Sequence, residues 1–309
     1  MIPVYFINGF LESGKTEFIK FTISQPYFQS RETTLLILCE EGEEEYEEAL
    51  LKSSKTVLEV IGGEALFTPA HLLELEKKHR PGRIIIEYNG MWKMKDLTLP
   101  THWQIEQQIT LIDASTFPVF YTNMRSMVAE MVRQSELIIF NRCDGIRELS
   151  SYKRNVKAVN PQAEIVFEDE QGEINEMMEE ELPYDLNSPV IELDNLGFGI
   201  WYLDALDHVE RYQGKTISFL AQVLRPKKFP ADCFVPGRLA MTCCADDMAF
   251  LGYVCKYDRA DRLKEKSWVK VTARVACEYW ADYGKEGPVL YASSVKAAKA
   301  PKEEIINFV

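Results

Sequence analysis

The first sixteen residues decide the fold of the first half of the chain: MIPVYFIN (Met1–Asn8), followed directly by GFLESGKT (Gly9–Thr16). The first stretch is a short apolar run, typical of a buried strand. The second fits the G-x-x-x-x-G-K-[ST] pattern of the phosphate-binding loop, in which glycines let successive backbone N–H groups point at a phosphate. Strand, loop and a helix expected from Gly14 onward therefore predict a nucleotide-binding domain.

The other loop residues have predicted roles in the same site. Lys15 is placed to reach the outer phosphates as a point charge, and the Thr16 hydroxyl is suited to binding Mg²⁺. The helix after the loop directs the positive end of its dipole at the same point. The predicted nucleotide contacts in the loop are Gly9, Glu12, Ser13, Gly14, Lys15 and Thr16.

Strand-like apolar runs alternate with helix-like segments through the rest of the first half. The runs end in polar residues or precede them, as expected where a parallel sheet binds ligands at the carboxyl ends of its strands. This alternation predicts an α/β fold with a doubly wound, mostly parallel sheet of the P-loop NTPase type. The runs are Thr33–Leu38, Arg83–Glu87, Ile109–Asp113 and Leu137–Phe140, with a helix predicted over Pro69–His79.

Two of these strand ends carry residues suited to a nucleotide. At the first, the Glu87 carboxylate is suited to holding Mg²⁺ through water, and the Gly90 N–H to approaching a γ-phosphate. With Lys15, these two form the predicted catalytic group. At the second, a carboxylate in Asn141-Arg142-Cys143-Asp144 can accept hydrogen bonds from the guanine N1–H and 2-amino groups, a donor pair that adenine lacks. Guanine recognition is therefore assigned to Asn141, Arg142 and Asp144.

The acidic segment, Glu40–Glu48, holds seven glutamates in nine positions. Such a run is typical of a solvated face or a mobile loop. Two other interpretations stay open. The segment could be a switch region that changes its order with the nucleotide, or a carboxylate site for a cation with Glu40 and Glu43 as ligands.

The composition indicates a two-domain cytoplasmic protein. With 309 residues, 46% of them hydrophobic and 27% charged, the chain is long for a single core. No run approaches about eighteen apolar residues, so no membrane insertion is expected. The strand at Met1 leaves no room for a signal peptide. Seven scattered cysteines are typical of reduced thiols.

The charge is uneven along the chain. The net charge is −13, with 18 Lys and Arg against 32 Asp and Glu in residues 1–186, and 17 against 16 in residues 187–309. The acidic first half would repel nucleic acid and anionic membranes, and the second half has no basic stripe, so no nucleic-acid partner is expected. The change in charge predicts a domain boundary near residue 186.

In these motifs, residues 1 to about 170 resemble the CobW-type family of P-loop GTPases, which is related to the urease- and hydrogenase-maturation GTPases. The resemblance implies a domain that binds GTP with Mg²⁺, hydrolyses it slowly and couples this cycle to handling a transition metal, often zinc. The matching landmarks are Gly9–Thr16, Glu40-x-Gly42-Glu43, Glu87-x-x-Gly90, Asp113, Asn141-x-x-Asp144 and Asn160-Pro161-x-Ala163.

Two departures from the family pattern concern the metal and the base. The family's Cys-x-Cys-Cys cluster, which supplies soft thiolate ligands, is replaced by the cysteine-free stretch Val60–Phe67. Metal ligation in this half is then left to Glu40 and Glu43. In the guanine motif, Arg142 stands where lysine is usual, and an arginine can still lay its stem and plane along the base.

The second half predicts a different domain. Turn-rich stretches separate four β-rich runs, which favours a small, all-β barrel of the OB type. We expect the nucleotide-binding domain over residues 1–170, a linker with a short helix over 171–213, and the OB-like barrel over 214–309. The β-rich runs are Thr216–Leu224, Ala249–Tyr257, Trp268–Val275 and Val289–Val295.

The candidate chemistry of this half lies in Gly237–Asp246. Cys243 and Cys244 are adjacent, so on a strand they point to opposite faces and would not chelate one ion together without a bend. They are either structural thiols or ligands of a transition-metal or redox site that also uses Asp246, Cys233 or Cys255. Residues 200–295 resemble the soluble C-terminal domain of YcgQ-type bacterial proteins, partners of a permease-like protein, which implies an OB-like fold and a bacterial source.

Together these features predict a slow GTPase linked to zinc handling or metallochaperone activity. No arginine finger or water-positioning residue is identifiable, so slow turnover is expected, with a homodimer or a partner left open as the activator. The partner would be a metal-receiving protein or a permease. Two alternatives stay open: a nucleotide-gated regulatory module for a permease with no metal cargo, and a general P-loop ATPase.

Overall fold

A computed structural model describes residues 1–174, 182–241 and 248–307. The chain divides into two compact units, Met1–Met177 and Met178–Val309. Among the described residues, no helix combines the length and apolar character needed to cross a membrane.

The first unit alternates strands with helices, as the sequence predicts. Its helices are α1 (Lys15–Ser24), α2 (Glu48–Ser53), α3 (Pro69–His79), α4 (Phe117–Asn123), α5 (Arg125–Val132) and α6 (Leu149–Lys157). Its strands are β1 (Ile2–Asn8), β2 (Thr34–Leu38), β3 (Thr56–Val60), β4 (Arg83–Glu87), β5 (Trp103–Asp113), β6 (Leu137–Asn141), β7 (Glu164–Asp169) and β8 (Gly172–Glu173).

These strands form one sheet in the order β3-β2-β4-β1-β5-β6-β7-β8. Strands β1 to β7 run parallel, and β8 is antiparallel to β7. The strand order reverses at β1, so the crevice where a ligand binds is expected at the carboxyl end of β1. The predicted doubly wound, mostly parallel sheet is confirmed.

A buried polar cluster holds β1 and β5 in register just before the phosphate-binding loop. Asn8 and Thr110 are opposite each other in the two strands and fully buried. Thr110 donates to Oδ1 of Asn8 at 2.5 Å, while the Met131 carbonyl accepts from Nδ2 of Asn8 at 3.3 Å and from the Ser135 hydroxyl at 2.9 Å. Because each buried polar side chain has a partner, the cluster fixes where β1 ends and the loop begins.

The second unit is rich in strands. Its strands are β9 (Ile191–Leu193), β10 (Thr216–Leu224), β11 (Cys233–Met241), β12 (Met248–Gly252), β13 (Cys255–Lys256), β14 (Trp268–Trp280), β15 (Lys285–Ala297) and β16 (Ile305–Asn307), and its α-helix in the described residues is α7 (Asn195–Asp207).

Five of these strands pair into a closed ring. The pairing runs from β10 through β14, β15, β13 and β11, and β11 pairs back with β10. Strand β9 extends the ring beside β10, while β12 and β16 pair with β11. The expected second, sheet-rich domain is confirmed, and its assignment to the OB type stays a prediction.

Helix α7 and strand β9 belong to this second unit although they precede Gly214, where the sequence predicts the barrel to begin. The Asp194 side chain caps α7 by accepting a hydrogen bond from the Gly197 N–H at 2.7 Å. On the helix, Phe198 and Trp201 are fully buried and pack against Phe219 of β10. This aromatic burial fixes the segment to the ring, so the sheet-rich unit includes part of the predicted linker.

Candidate nucleotide-binding site

The loop between β1 and α1 depends on two glycines. Gly9 and Gly14 have φ angles of +147° and +88°, which side chains rarely tolerate. A Cβ atom at Gly9 would lie 2.3 Å from the Leu111 carbonyl oxygen, and one at Gly14 would lie 2.5 Å from Nδ2 of Asn141. The loop therefore curls tightly against β5 and the end of β6 before α1 starts at Lys15.

The Lys15 ammonium group lies inside this curl and is almost fully buried, at 4% exposure. It donates hydrogen bonds to the carbonyls of Gly9 at 2.9 Å and Phe10 at 2.8 Å. Its third acceptor is Oε2 of Glu40 at 3.1 Å, from a side chain that is 11% exposed. An ammonium group has three N–H donors, so a phosphate arriving at Lys15 must replace one of these acceptors.

A buried carboxylate stands beside the start of α1. Glu87, at the end of β4, is 2% exposed, and its Oε1 accepts a hydrogen bond from the Thr16 hydroxyl at 2.7 Å. Its Oε2 accepts a second from the Tyr46 hydroxyl. Burial raises the pKa of Glu87, while the hydrogen bonds from Tyr46 and Thr16 oppose that rise. The two residues predicted to hold Mg²⁺, Thr16 and Glu87, are thus in direct contact.

Gly90 lies against the backbone of the phosphate-binding loop. A Cβ atom at this position would be 2.3 Å from the Gly9 carbonyl oxygen and 3.0 Å from the Phe10 nitrogen. Any side chain at position 90 would clash with the loop backbone, so this close approach between the loop and the segment after β4 requires glycine.

The end of β6 is tied to the same loop. Asn141 donates from Nδ2 to the Ser13 carbonyl at 2.8 Å. Arg142 donates from Nη1 to the Glu12 carbonyl at 2.8 Å and to Oδ2 of Asp113 at 2.6 Å. Burial disfavours the charged form of Asp113, but hydrogen bonds from Ser115 and Arg142 outweigh it, so the pKa of Asp113 is lowered. Arg142 is thus held by the loop and β5.

Asp144, the residue predicted to read the guanine edge, is exposed. Its Oδ1 accepts a hydrogen bond from the Glu170 backbone N–H at 3.3 Å. The structure therefore brings Asn141 and Arg142 to the loop and leaves Asp144 at the outer end of the motif, on the side of β7.

The acidic segment lies over the loop and α1. Its Glu43 backbone N–H donates to Oε1 of Glu12 at 3.0 Å. Lys20 of α1 pairs with Glu44 at 3.1 Å and with Glu47 at 2.9 Å. Together with the contact between Lys15 and Glu40, these bonds leave a cavity of only about 30 Å³ between the segment and the loop. Glu43 contributes its backbone here, and its side chain is exposed.

Tyr46 is the site residue that sequence reasoning missed. From Glu41 to Ala49 every residue is exposed except this tyrosine. Burial raises its pKa well above the ordinary tyrosine value, so its hydroxyl keeps its proton and acts as a donor. The signal available in the sequence was a lone aromatic residue within a run of glutamates.

The predicted transition-metal ligands Cys243 and Cys244, with Asp246, lie outside the described residues. Their candidate partners Cys233 and Cys255 are buried in β11 and β13. Cys233 faces Lys256 and Cys255 faces Phe234 across the strand pair, so the two thiols point to opposite faces. Burial raises the pKa of Cys233 to about 11 and that of Cys255 further, which disfavours the thiolate a metal needs.

Within the described ranges, no three His, Cys, Asp or Glu side chains are grouped as a metal site requires. Glu40 and Glu43 therefore form no such group with a third ligand there. The cation site proposed from these two glutamates stays a prediction.

Two family models divide the chain between them. A model described as the CobW/HypB/UreG nucleotide-binding domain matches residues 3–167. A second, described as the DUF1980 C-terminal domain, matches residues 168–306. The resemblance of the first half to the CobW-type family is confirmed. The second half matches a separate domain family. No curated protein matches the chain.

Several solved structures are similar to part of the chain. Hydrogenase maturation factor HypB from Archaeoglobus fulgidus is 19% identical, with 55% of this chain and 82% of that chain covered, at a TM-score of 0.41. The Zn(II)-bound YjiA GTPase from E. coli is 19% identical, with 56% and 59% covered, at 0.41. HypB from Helicobacter pylori in complex with nickel is 15% identical, with 55% and 80% covered, at 0.39. At these scores the similarities establish no shared ligand or activity.

Proposed function

Because the chain belongs to the CobW/HypB/UreG family through the nucleotide-binding domain at residues 3–167, we propose that its first unit binds GTP with Mg²⁺ and hydrolyses it slowly. One observation carries the proposal. Lys15, the Thr16–Glu87 pair and Asn141, the first residue of the predicted guanine motif, all contact the same loop at the carboxyl ends of parallel strands. A phosphate, a divalent cation and a base could therefore be bound side by side.

The residues present fit a magnesium nucleotide. The Thr16 hydroxyl and the Glu87 carboxylate are hard oxygen ligands 2.7 Å apart, which suits Mg²⁺ rather than a soft metal. Two buried polar atoms at the loop, Oγ of Ser13 and Oδ1 of Asn141, have no hydrogen-bond partner among the described residues. Such atoms indicate that a polar group belongs here. Bound Mg²⁺ would supply positive charge to the phosphates.

The residues of the site are consistent with the slow turnover that we propose. Lys15 would neutralise charge on the β,γ-phosphates, and Gly90 would bring its backbone N–H to the γ-phosphate. Among the described residues that line the phosphate cavity, the one arginine is Arg142. It is already bonded to Asp113 and Glu12 and is not free to act as a finger.

We extend the proposal to transition-metal handling, with zinc as the expected cargo, on the strength of the family alone. The family's thiolate cluster is missing from residues 60–67, which here are the end of β3 and a short 3-10 turn. The test is the metal content of untagged protein, purified with and without GTP. Stoichiometric zinc that depends on GTP supports this role, whereas its absence favours the nucleotide-gated permease module.

Nucleotide choice is tested by competition. ATP should displace a labelled GTP analogue poorly from the wild type, and Asp144→Asn should weaken GTP binding by about 1–3 kcal/mol, because it replaces a carboxylate acceptor pair with a mismatched amide. The control is Asp185→Asn, which removes one carboxylate at an exposed position of the second unit. Equal displacement by ATP and GTP would instead support the general ATPase.

A further inference from the structure

The carboxylate of Glu87 is held from two sides by hydroxyl groups. Thr16, at the start of α1, donates to Oε1 at 2.7 Å, and Tyr46, from the acidic segment, donates to Oε2. The two carboxylate oxygens therefore have different partners on different elements. With both oxygens engaged, rotation of the carboxylate plane is restricted in a site that is 2% exposed.

Tyr46 is also fixed at its ring. Its side chain packs against the apolar cluster between α1 and the sheet, which includes Ile7, Ile19 and Leu36. The residues on either side of it are exposed, so this one side chain anchors the middle of the acidic segment to the core. The hydroxyl is presented to Glu87 by a ring that cannot easily move.

We propose that Tyr46 is a positioning residue for the Mg²⁺–nucleotide site, holding the Glu87 carboxylate in the orientation that the cation requires and linking the acidic segment to it. The inference rests on the proposed GTP and Mg²⁺ binding. A carboxylate must point at the hydrated cation in order to hold it. The residues that fix the orientation of the carboxylate therefore affect the affinity for the cation, as the direct ligands do. Tyr46 itself need not touch the cation or the nucleotide.

The link also gives the acidic segment a function. Cation binding at Thr16 and Glu87 would change the hydrogen bonds of Glu87, and Tyr46 would pass that change to the segment between β2 and α2. Of the interpretations of the acidic segment that the sequence left open, this link favours a switch region, in which the Tyr46 side chain responds to the bound cation.

The test is Tyr46→Phe, which keeps the ring and its packing and removes only the hydroxyl. The matched control is Tyr27→Phe, where the tyrosine is 78% exposed. Affinity for a slowly hydrolysed GTP analogue is measured with excess Mg²⁺ and again with EDTA. We expect Tyr46→Phe to lose about tenfold in affinity with Mg²⁺, equal to about 1.4 kcal/mol, and less than about twofold with EDTA. Tyr27→Phe should match the wild type in both.

The outcomes separate the inference from the proposed function. A wild type that binds no GTP analogue overturns both. A wild type that binds, with Tyr46→Phe unchanged or weakened equally with Mg²⁺ and EDTA, overturns the positioning role alone, since a loss independent of the cation means general damage to the fold.

A second measurement needs no variant at this position. A protease that cleaves after glutamate reports on the acidic segment, whose glutamates are mostly exposed. In the wild type, Mg²⁺ with the GTP analogue should slow cleavage of the segment at least about threefold relative to the analogue with EDTA, because a segment held by Tyr46 opens less often. Equal rates in the two conditions would contradict the link through Tyr46.

Discussion

Replacing Glu40 with glutamine (Glu40→Gln) should strengthen nucleotide binding. In the structure the Glu40 carboxylate lies 3.1 Å from the Lys15 ammonium group, at the point where a phosphate would bind. Both side chains are nearly buried, at 11% and 4% exposure, so the pair is little screened by solvent. A phosphate that binds Lys15 must displace this carboxylate, and glutamine has the same shape without the charge.

The size of the effect follows from the contact. A hydrogen bond to a charged group contributes about 1.5–3 kcal/mol, and one between a charged donor and a neutral amide falls at the lower end of that range. The difference, about 1 kcal/mol, is the advantage that the phosphate gains when its competitor at Lys15 is an amide instead of a carboxylate. It corresponds to about fivefold tighter binding. The unliganded variant should lose a similar amount of folding stability, since Lys15 keeps only its two loop carbonyls as full acceptors.

The assay is titration of a fluorescent GTP analogue, with Glu48→Gln as the control. Glu48 belongs to the same acidic segment, is 86% exposed and pairs with Lys52, so its replacement removes the same charge without touching Lys15. Glu40→Gln should bind more tightly and Glu48→Gln like the wild type. If both variants tighten equally, net charge is the cause, and if Glu40→Gln binds no better, Glu40 does not compete with the phosphate.

Three further predictions concern other groups. Lys15→Ala should abolish binding of the GTP analogue and, because the buried ammonium group also bonds two loop carbonyls, destabilise the fold by about 1–3 kcal/mol, measured by denaturant unfolding. Burial raises the pKa of Glu87, so its contribution to stability is fully present below the ordinary glutamate pKa and is lost as pH rises through the raised value. The melting temperature of Glu87→Gln should therefore rise relative to that of the wild type as the pH increases above the ordinary glutamate pKa. A difference that stays constant with pH would contradict this sign. Zinc affinity, measured by chelator competition, should fall at least about tenfold in the Cys243→Ser, Cys244→Ser double variant, and an unchanged affinity would contradict a metal site at these two cysteines.

The elements that the sequence predicted well have local signals. Helix α3 runs over Pro69–His79 as expected, because Pro69 suits the first helical position and Thr68 caps the helix by accepting from the His71 N–H at 3.3 Å. Strand β4 (Arg83–Glu87) has a continuous apolar centre of three isoleucines, as a parallel strand buried on both faces should have. In both cases a few neighbouring residues carry the information.

Strand β11 was not predicted, because it contains residue types that are unusual in a buried strand. It contains Pro236 and Gly237, which usually weaken a strand, and Arg238, which is usually exposed. Arg238 is instead 1% exposed and donates to Oδ1 of Asn195 at 2.8 Å and to the Glu303 carbonyl at 2.7 Å. These partners are 43 and 65 residues away in sequence. Only the tertiary structure shows that the arginine joins α7 to the C-terminal segment.

The glutamates of the acidic segment could not be told apart in sequence for a similar reason. Glu40 is 11% exposed, whereas Glu44 and Glu47 are 63% and 60% exposed. The difference comes from Lys15, whose buried ammonium group compensates the cost of removing one carboxylate from water. Composition therefore correctly indicates a largely solvated run, and the structure identifies the one carboxylate that is not.

Glu40 and Tyr46 both attach the acidic segment to the site, but ligand binding is expected to affect the two attachments in opposite ways. A phosphate at Lys15 competes with Glu40, whereas a cation at Thr16 and Glu87 needs the orientation that Tyr46 supports. Nucleotide binding would then break one attachment and keep the other, so the segment would turn about Tyr46 rather than detach. The consequence is a difference in cation dependence. Glu40→Gln should strengthen binding with Mg²⁺ and with EDTA alike, because the phosphate is present in both, whereas Tyr46→Phe should weaken binding only with Mg²⁺. If the two variants share one cation dependence, the segment responds as a single unit and the two attachments are not separate.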